Sequence, residues 1–252
     1  MSSIKLDLIR PTSLNNSRIL SWFSYKNPEY ALAGSSIAGM NVGFNSSDTQ
    51  EIILENLDNL VSHLGIDRKQ LALAHQVHGT NVEVITSGGV FEETDGFVSN
   101  TPGVSLGIQV ADCGAVLLGD FDNRVIGACH AGWRGAVGEI VPKTIHKMTE
   151  LGANPTSIAA FVSPCIAVHN FEVGEEVAAQ FPGELVHRSG YPKPHVDLSG
   201  LIRNQLIELG IAEENIESDG RCTIDHEQLF YSYRREKESS GRMIGIITLN
   251  NV

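Results

Sequence analysis

The sequence predicts an α+β fold: a single domain, residues 1–252, of mixed β-sheets flanked by helices. Three observations carry this. Short apolar runs bounded by turn residues outnumber the amphipathic helical segments, a hairpin-type turn joins successive runs, and no linker-like tract or internal repeat divides the chain. Hairpin links argue against a purely parallel, doubly wound sheet, because parallel neighbours need a crossover of about a dozen residues or more. With 252 residues, 42% of them apolar and 19% charged, the chain can bury a sizeable core.

The first helix is expected over residues 45–64. There Ile52, Ile53, Leu57, Leu60, Val61 and Leu64 recur at helical spacing behind a Ser-Ser-Asp start that can cap the first turn, and Gly65 follows as a stop. Strands are expected at 71–74, 82–85, 97–99, 104–110 and 115–119. The last of these is joined to a strand at 125–129 by the Asp-Phe-Asp-Asn turn at 120–123. A second helix spans 139–151, where Pro142 is tolerable only in the first turn and Gly152 lies just past the end. A strand at 157–162, a short helix near 175–181, a longer helix at 197–209 and a terminal strand at 243–249 complete the order. Residues 183–194 read as a surface loop.

The formal net charge is −12, so the overall field repels polyanions and argues against nucleic acid or an anionic membrane as partners. A phosphate-bearing ligand would need a local cluster of arginines. No window approaches the roughly 18 consecutive apolar residues of a membrane span. The opening MSSIKLDLIRPTS lacks the apolar segment and cleavage site of a signal peptide, so the expectation is a cytoplasmic protein. There Cys113, Cys129, Cys165 and Cys222 would remain thiols. Oligomeric state leaves no readable signal.

Three motifs put a metal-capable side chain beside glycine at an expected strand end: AHQVHGT, VADCGAV and ACHAGWRG. Glycine lets backbone or ligand approach closely, and strand-end loops are where a rigid scaffold displays functional groups. His75 and His78 are three apart and face opposite ways in a continuing strand; Gly79 makes His78 the ligand and His75 a neighbour. Cys129 and His130 also alternate, so a pocket-facing His130 leaves Cys129 for the core. One thiolate (Cys113) and two imidazoles (His78, His130) suit zinc with a fourth position open, the pattern of a catalytic site. Gly132 and Gly135 permit a sharp path, and Trp133 supplies an apolar or stacking wall.

In order, QVHGT, ADCGAVLLGD, CHAGWRG, SPCI…FEVGEEV (163–177) and YSYRR…GRM (231–243) resemble the YfiH-like laccase-domain family, also described as purine nucleoside phosphorylases or so-called polyphenol oxidases. The likeness runs from about Asn41 to the C-terminus. It implies a metal site at His78, Cys113 and His130, holding zinc with copper as the alternative. It also implies phosphorolysis of adenosine, inosine or methylthioadenosine to free base and ribose 1-phosphate, together with adenosine deamination. The expected small-molecule partners are purine nucleosides and phosphate. On that reading Asn41, Arg134, Arg234 and Arg235 are the substrate-binding candidates, with Arg242 a further one, because planar guanidinium donors hold phosphate or ribose oxygens. Arg134 also counts as catalytic, and Asp95 and Asp112 are the candidate proton carriers. Cys165 stands where Gly-Pro is more usual. Other readings are a cysteine hydrolase or amidase, with Cys113 attacking a peptidoglycan precursor, a copper-dependent polyphenol oxidase, and a scaffold holding structural zinc. None of the nine histidines forms the His-X-His pair that multi-copper chemistry uses.

Overall fold

The computed structural model describes residues 6–30 and 32–251, so the first part of the N-terminal stretch read above lies outside the described residues. In chain order the elements are β1 (Leu8–Ile9), β2 (Ile19–Ser24), α1 (Gln50–Leu64), β3 (Leu71–Ala74), β4 (Val82–Val84), β5 (Gly89–Phe91), β6 (Gly96–Ser99) and β7 (Ser105–Val110). Then come β8 (Gly114–Asp120), β9 (Val125–Ala131), α2 (Trp133–Val137), α3 (Ile140–Glu150), β10 (Ile158–Val162), α4 (Glu175–Ala178), β11 (Val186–His187) and β12 (His195–Val196). The chain closes with α5 (Leu198–Glu208), β13 (Ile216–Ser218), α6 (Tyr233–Glu236) and β14 (Met243–Leu249).

The strands form two six-stranded mixed sheets. The first has the order β1-β2-β14-β7-β3-β5 and the second β13-β10-β8-β9-β6-β4; β11 and β12 make a separate ribbon. Most neighbours are antiparallel. The pairs β3/β5, β3/β7, β4/β6 and β10/β13 are parallel. This is the mixed-sheet α+β arrangement the sequence predicts, and the β8–β9 hairpin pairs from Asp120↔Val125 to Gly114↔Ala131.

Three apolar layers explain why so many strands are buried along their whole length. Between the sheets lie Phe23, Leu106, Ile108 and Ile247 from the first and Phe97, Leu117, Ile126 and Phe161 from the second. The outer face of the first sheet (Trp22, Leu71, Leu73, Ile244) is covered by Ile53, Leu57, Leu60 and Val61 of α1. The outer face of the second (Val116, Leu118, Val125, Cys129) is covered by Ile145 and Met148 of α3 and by Ile202 and Leu206 of α5. The helix α3 comes so close to β9 that a Cβ on Gly127 would lie 2.6 Å from Met148 Sδ.

Several boundaries differ from expectation for local reasons. The helix α1 starts at Gln50, because Thr49 is the cap and accepts from Ile52 N–H. Asp48 accepts instead from Ser35, Ser36 and Asn41, which commits the preceding segment to a loop. The expected 139–151 helix is preceded by the short α2, and Glu139 at φ +68 breaks the two apart. Pro142 sits in the first turn of α3, where no intrahelical N–H is needed. The helix near 175–181 is only the four residues of α4, and part of the 183–194 stretch pairs as β11 with β12. The strands β1, β2, β5, β12 and β13 correspond to none of the expected strands.

Candidate active site

The first component is the loop leaving β3. The Gln76 side chain replaces a strand residue: its Nε2 donates to Gln109 O at 2.8 Å, and its Oε1 accepts from Gln109 N–H at 2.8 Å. The chain then turns at His78, which has φ +60. Three successive amides converge there on the buried Asp95 carboxylate, from Val77 (3.2 Å), His78 (3.0 Å) and Gly79 (2.8 Å).

The same carboxylate holds His130 on β9. His130 Nδ1 lies 2.8 Å from Asp95 Oδ1, and His130 N–H donates to Asp95 O at 2.7 Å. With Nδ1–H given to Asp95, Nε2 is the ring nitrogen left for a ligand. Cys113 comes from the bend between β7 and β8. Asp112, at φ +78, sets that bend: its carboxylate accepts from Thr223 Oγ1 at 2.6 Å and Arg234 N–H at 2.7 Å, and its carbonyl accepts from Ile166 N–H. The register Ala115↔His130 then brings Cys113 beside His130.

The ligating atoms of His78, Cys113 and His130 lie within 4.8 Å of one another, and the two imidazoles meet edge to face at 4.6 Å. Gly132 lies against all three side chains. A Cβ there would lie 2.9 Å from Cys113 Sγ, 3.1 Å from His78 Cδ2 and 3.6 Å from His130 Nε2. One sulfur and two nitrogens this close together can hold one borderline divalent ion, with a remaining position toward the pocket. They do not make a multi-copper cluster.

Charge on these groups is strongly coupled. Burial resists ionisation of Cys113, but the charge of His130 and hydrogen bonds from His130 and His78 prevail, pulling the thiol down to about 6. Burial likewise opposes the His130 cation, yet Cys113 and Asp95 together push it up to about 9. Burial pushes Cys129 up to about 12, outweighing a hydrogen bond from Thr144 and helped by the Asp95 charge. In chelator-treated protein, alkylation of Cys113 is therefore expected to rise through about pH 6 and level off by pH 8, as the thiolate forms above its pKa. Cys129 is expected to stay unmodified throughout. Peptide mapping after iodoacetamide checks both; a Cys113 rate still climbing tenfold per pH unit at pH 8 contradicts the coupling.

The trio lies in a cavity of about 590 Å³. Three arginine–aromatic pairs border it. Arg134 lies 4.4 Å from the Trp133 ring, Arg234 5.5 Å from Phe171 and Arg242 5.6 Å from Tyr233. Lys237 adds a cation, and Gln76 and Gln109 add amide edges.

Of the residues expected from sequence, His78, Cys113, His130, Arg134, Arg234, Arg242 and Asp112 line this cavity. Asp112 has both carboxylate oxygens engaged, so it shapes the Cys113 turn. Asp95 lies behind the ligands, fully buried, and orients two of them. Asn41 lies outside the lining: its side chain joins Gly43 and Arg242 N–H to Ser46 and Asp48. Arg235 is also outside, donating to the carbonyls of Thr223, Ile224 and Phe230. His75 pairs with Glu92, and Cys129 packs under α3. Sequence reasoning passed over Phe171, Tyr233, Lys237 and Gln109. The only prior signal for Gln109 was a single amide within the apolar run LGIQV.

Two mixed sheets packed face to face, with a thiol and two imidazoles gathered where their strands turn, match what the resemblance to a laccase-domain protein implies. Its relatives have been named for more than one chemistry. The chain belongs to the family described as multi-copper polyphenol oxidoreductase laccase, whose profile matches residues 28–250. It is 42% identical over 217 residues to a Deinococcus radiodurans protein named purine nucleoside phosphorylase, covering 84% of this chain and 83% of that one. It is 29% identical over 222 residues to adenosine deaminase RL5 of an unknown prokaryotic organism, covering 81% and 85%. The crystal structure of YlmD from Geobacillus stearothermophilus has the same fold, with a TM-score of 0.88 at 23% identity over 100% of this chain and 98% of that one. The relatives' names support an enzyme of nucleoside metabolism. Among the described residues no helix is long and apolar enough to cross a membrane.

Proposed function

We propose that this protein is a zinc-dependent purine nucleoside phosphorylase of the cytoplasm, converting adenosine, inosine or methylthioadenosine and phosphate to free base and ribose 1-phosphate. The observation that carries this reading is a single cavity joining the Cys113/His78/His130 trio to three arginines, each lying against an aromatic ring. Breaking the glycosidic bond builds positive charge on the ribose and negative charge on the departing purine, while phosphate must lie against the anomeric carbon. Trp133, Phe171 and Tyr233 give the cavity apolar walls against which a flat base can pack. Arg134, Arg234 and Arg242 concentrate positive charge in a molecule whose net charge of −12 would otherwise repel phosphate. Zinc held by His78, Cys113 and His130 would supply Lewis acidity and a fixed positive charge beside the substrate. Asp95 holds His130 Nδ1–H and so keeps Nε2 turned to the ligand position.

The test is incubation of purified protein with inosine and phosphate, following hypoxanthine and ribose 1-phosphate. Equal amounts of both are expected, with neither formed when phosphate is omitted. Hypoxanthine released without phosphate would make the protein a nucleoside hydrolase instead, and full activity in Cys113→Ala would remove the metal from the reaction. A second reading, adenosine deamination, is supported by the relative of that name and by Glu238, a carboxylate on the cavity lining that accepts from the Tyr233 hydroxyl through Oε1 at 2.8 Å and can carry protons through its other oxygen. Inosine formed from adenosine without phosphate distinguishes it.

A further inference from the structure

Among the described residues, one other trio brings metal-capable atoms together. His169 lies on a short 3₁₀ turn, Val168–Asn170, while Cys222 and Asp225 lie on the segment following β13; their ligating atoms are all within 4.8 Å of one another. His169 Nε2 is 2.6 Å from Asp225 Oδ2. Asn170 Nδ2 donates both to Asp225 Oδ1 at 2.7 Å and to Cys222 Sγ at 3.3 Å, and Ala167 N–H also donates to Cys222 Sγ at 3.3 Å. A neutral thiol is a weak acceptor, so two N–H groups converging on one buried sulfur make the outer shell suited to a metal-bound thiolate.

From this arrangement we propose that His169, Cys222 and Asp225 bind a second divalent ion, zinc or a metal of similar borderline softness, at a site distinct from the His78/Cys113/His130 trio. The donor set of one sulfur, one nitrogen and one carboxylate oxygen fits that class of ion. The sulfur is fixed, since Cys222 is 3% exposed and bridged to Cys165 through the backbone. The other two ligands are open to solvent, with side chains 51% and 43% exposed, so an ion has a path in and a water can complete the coordination. Two ligands of a tetrahedral ion with bonds of about 2.0–2.1 Å lie roughly 3.3–3.4 Å apart. The His169–Asp225 pair therefore has to open by less than about 1 Å, a small rotation for two half-exposed side chains.

The position gives the ion a structural task. Residues 219–232 connect β13 to α6 without a strand or a long helix. The Thr223 hydroxyl in that segment donates to Asp112, the residue that sets the Cys113 turn. An ion on Cys222, Asp225 and His169 ties this segment to the 167–170 turn and steadies the seat of Asp112.

The test uses the full chain. The double variant His78→Ala, Cys113→Ala, loaded with zinc and passed through gel filtration, is expected to keep one zinc per chain by elemental analysis. Adding His169→Ala is expected to reduce this to none; His169 is half-exposed, so circular dichroism should be unchanged. Cobalt(II) in the double variant is expected to give a sulfur-to-metal charge-transfer band that disappears with Cys222→Ser. No zinc in the double variant, or zinc unaffected by His169→Ala, overturns the proposal and leaves a hydrogen-bonded surface cluster. Wild-type protein whose only zinc is lost with His169→Ala would leave this site standing while removing zinc from the proposed active site.

Discussion

On the proposed function, Gly132→Ala is expected to abolish zinc retention and reduce phosphorolysis by about 100-fold or more while leaving the fold in place. The new methyl would stand 2.9 Å from Cys113 Sγ and 3.1 Å from His78 Cδ2, too close for both side chains to keep their positions. The sulfur can rotate away about a single bond, so the clash relaxes cheaply, but it does so by dispersing the donors. Gly132 is also the N-cap of α2, where alanine costs about 1 kcal/mol. Elemental analysis, kcat/KM with inosine and a urea melt together decide this. A variant that keeps its zinc and its rate would show that an ion does not depend on the present positions of Cys113 and His78; a collapsed melt would show that the glycine serves the fold.

The second large effect is expected at Asp95. The substitution Asp95→Asn keeps the shape but turns one acceptor oxygen into a donor facing N–H groups already present: three backbone amides and His130 Nδ1. At least one of these loses its partner, at about 1–3 kcal/mol for a buried polar group. His130 also loses the anion that fixes its tautomer. Zinc affinity is expected to fall 10–100-fold, the scale found for the residues behind metal ligands. Competition with a chromogenic chelator measures it. Unchanged affinity would mean that Asp95 serves only the loop. Because Asp95 does not line the cavity, kcat with inosine should recover when zinc is supplied in excess. A persistent loss at saturating metal would point to a more direct part in the reaction.

The sequence disclosed those parts of the molecule whose signal is local. The β8–β9 hairpin announced itself by a turn between apolar runs, and α1, α3 and α5 by helical periodicity. The strand β2 did not, because ILSWFS is covered on both faces, by the inter-sheet layer and by α1, so the alternation of a half-buried strand is lost. Glycine-flanked strand ends were enough to pick out His78, Cys113 and His130 as neighbours. The work of Asp95 was not legible, since it depends on a loop from one sheet folding over a strand of the other. Arg234 and Arg235 illustrate the same limit. They are adjacent and chemically identical, yet one guanidinium borders the cavity, tied there by a single hydrogen bond to the Glu172 carbonyl, and the other is occupied with three carbonyls.

The three converging donors have separate origins: His78 on a loop leaving the first sheet, Cys113 on the link from the first sheet to the second, and His130 on the second. An ion shared among them is bound only by chains whose two halves have already docked, since the unfolded chain scatters these side chains over more than fifty residues. By mass action such an ion favours the docked state in proportion to its free concentration, so starving the protein of metal should lower its melting temperature as well as its turnover. Thermal stability thereby becomes a readout of cation supply that requires no substrate at all.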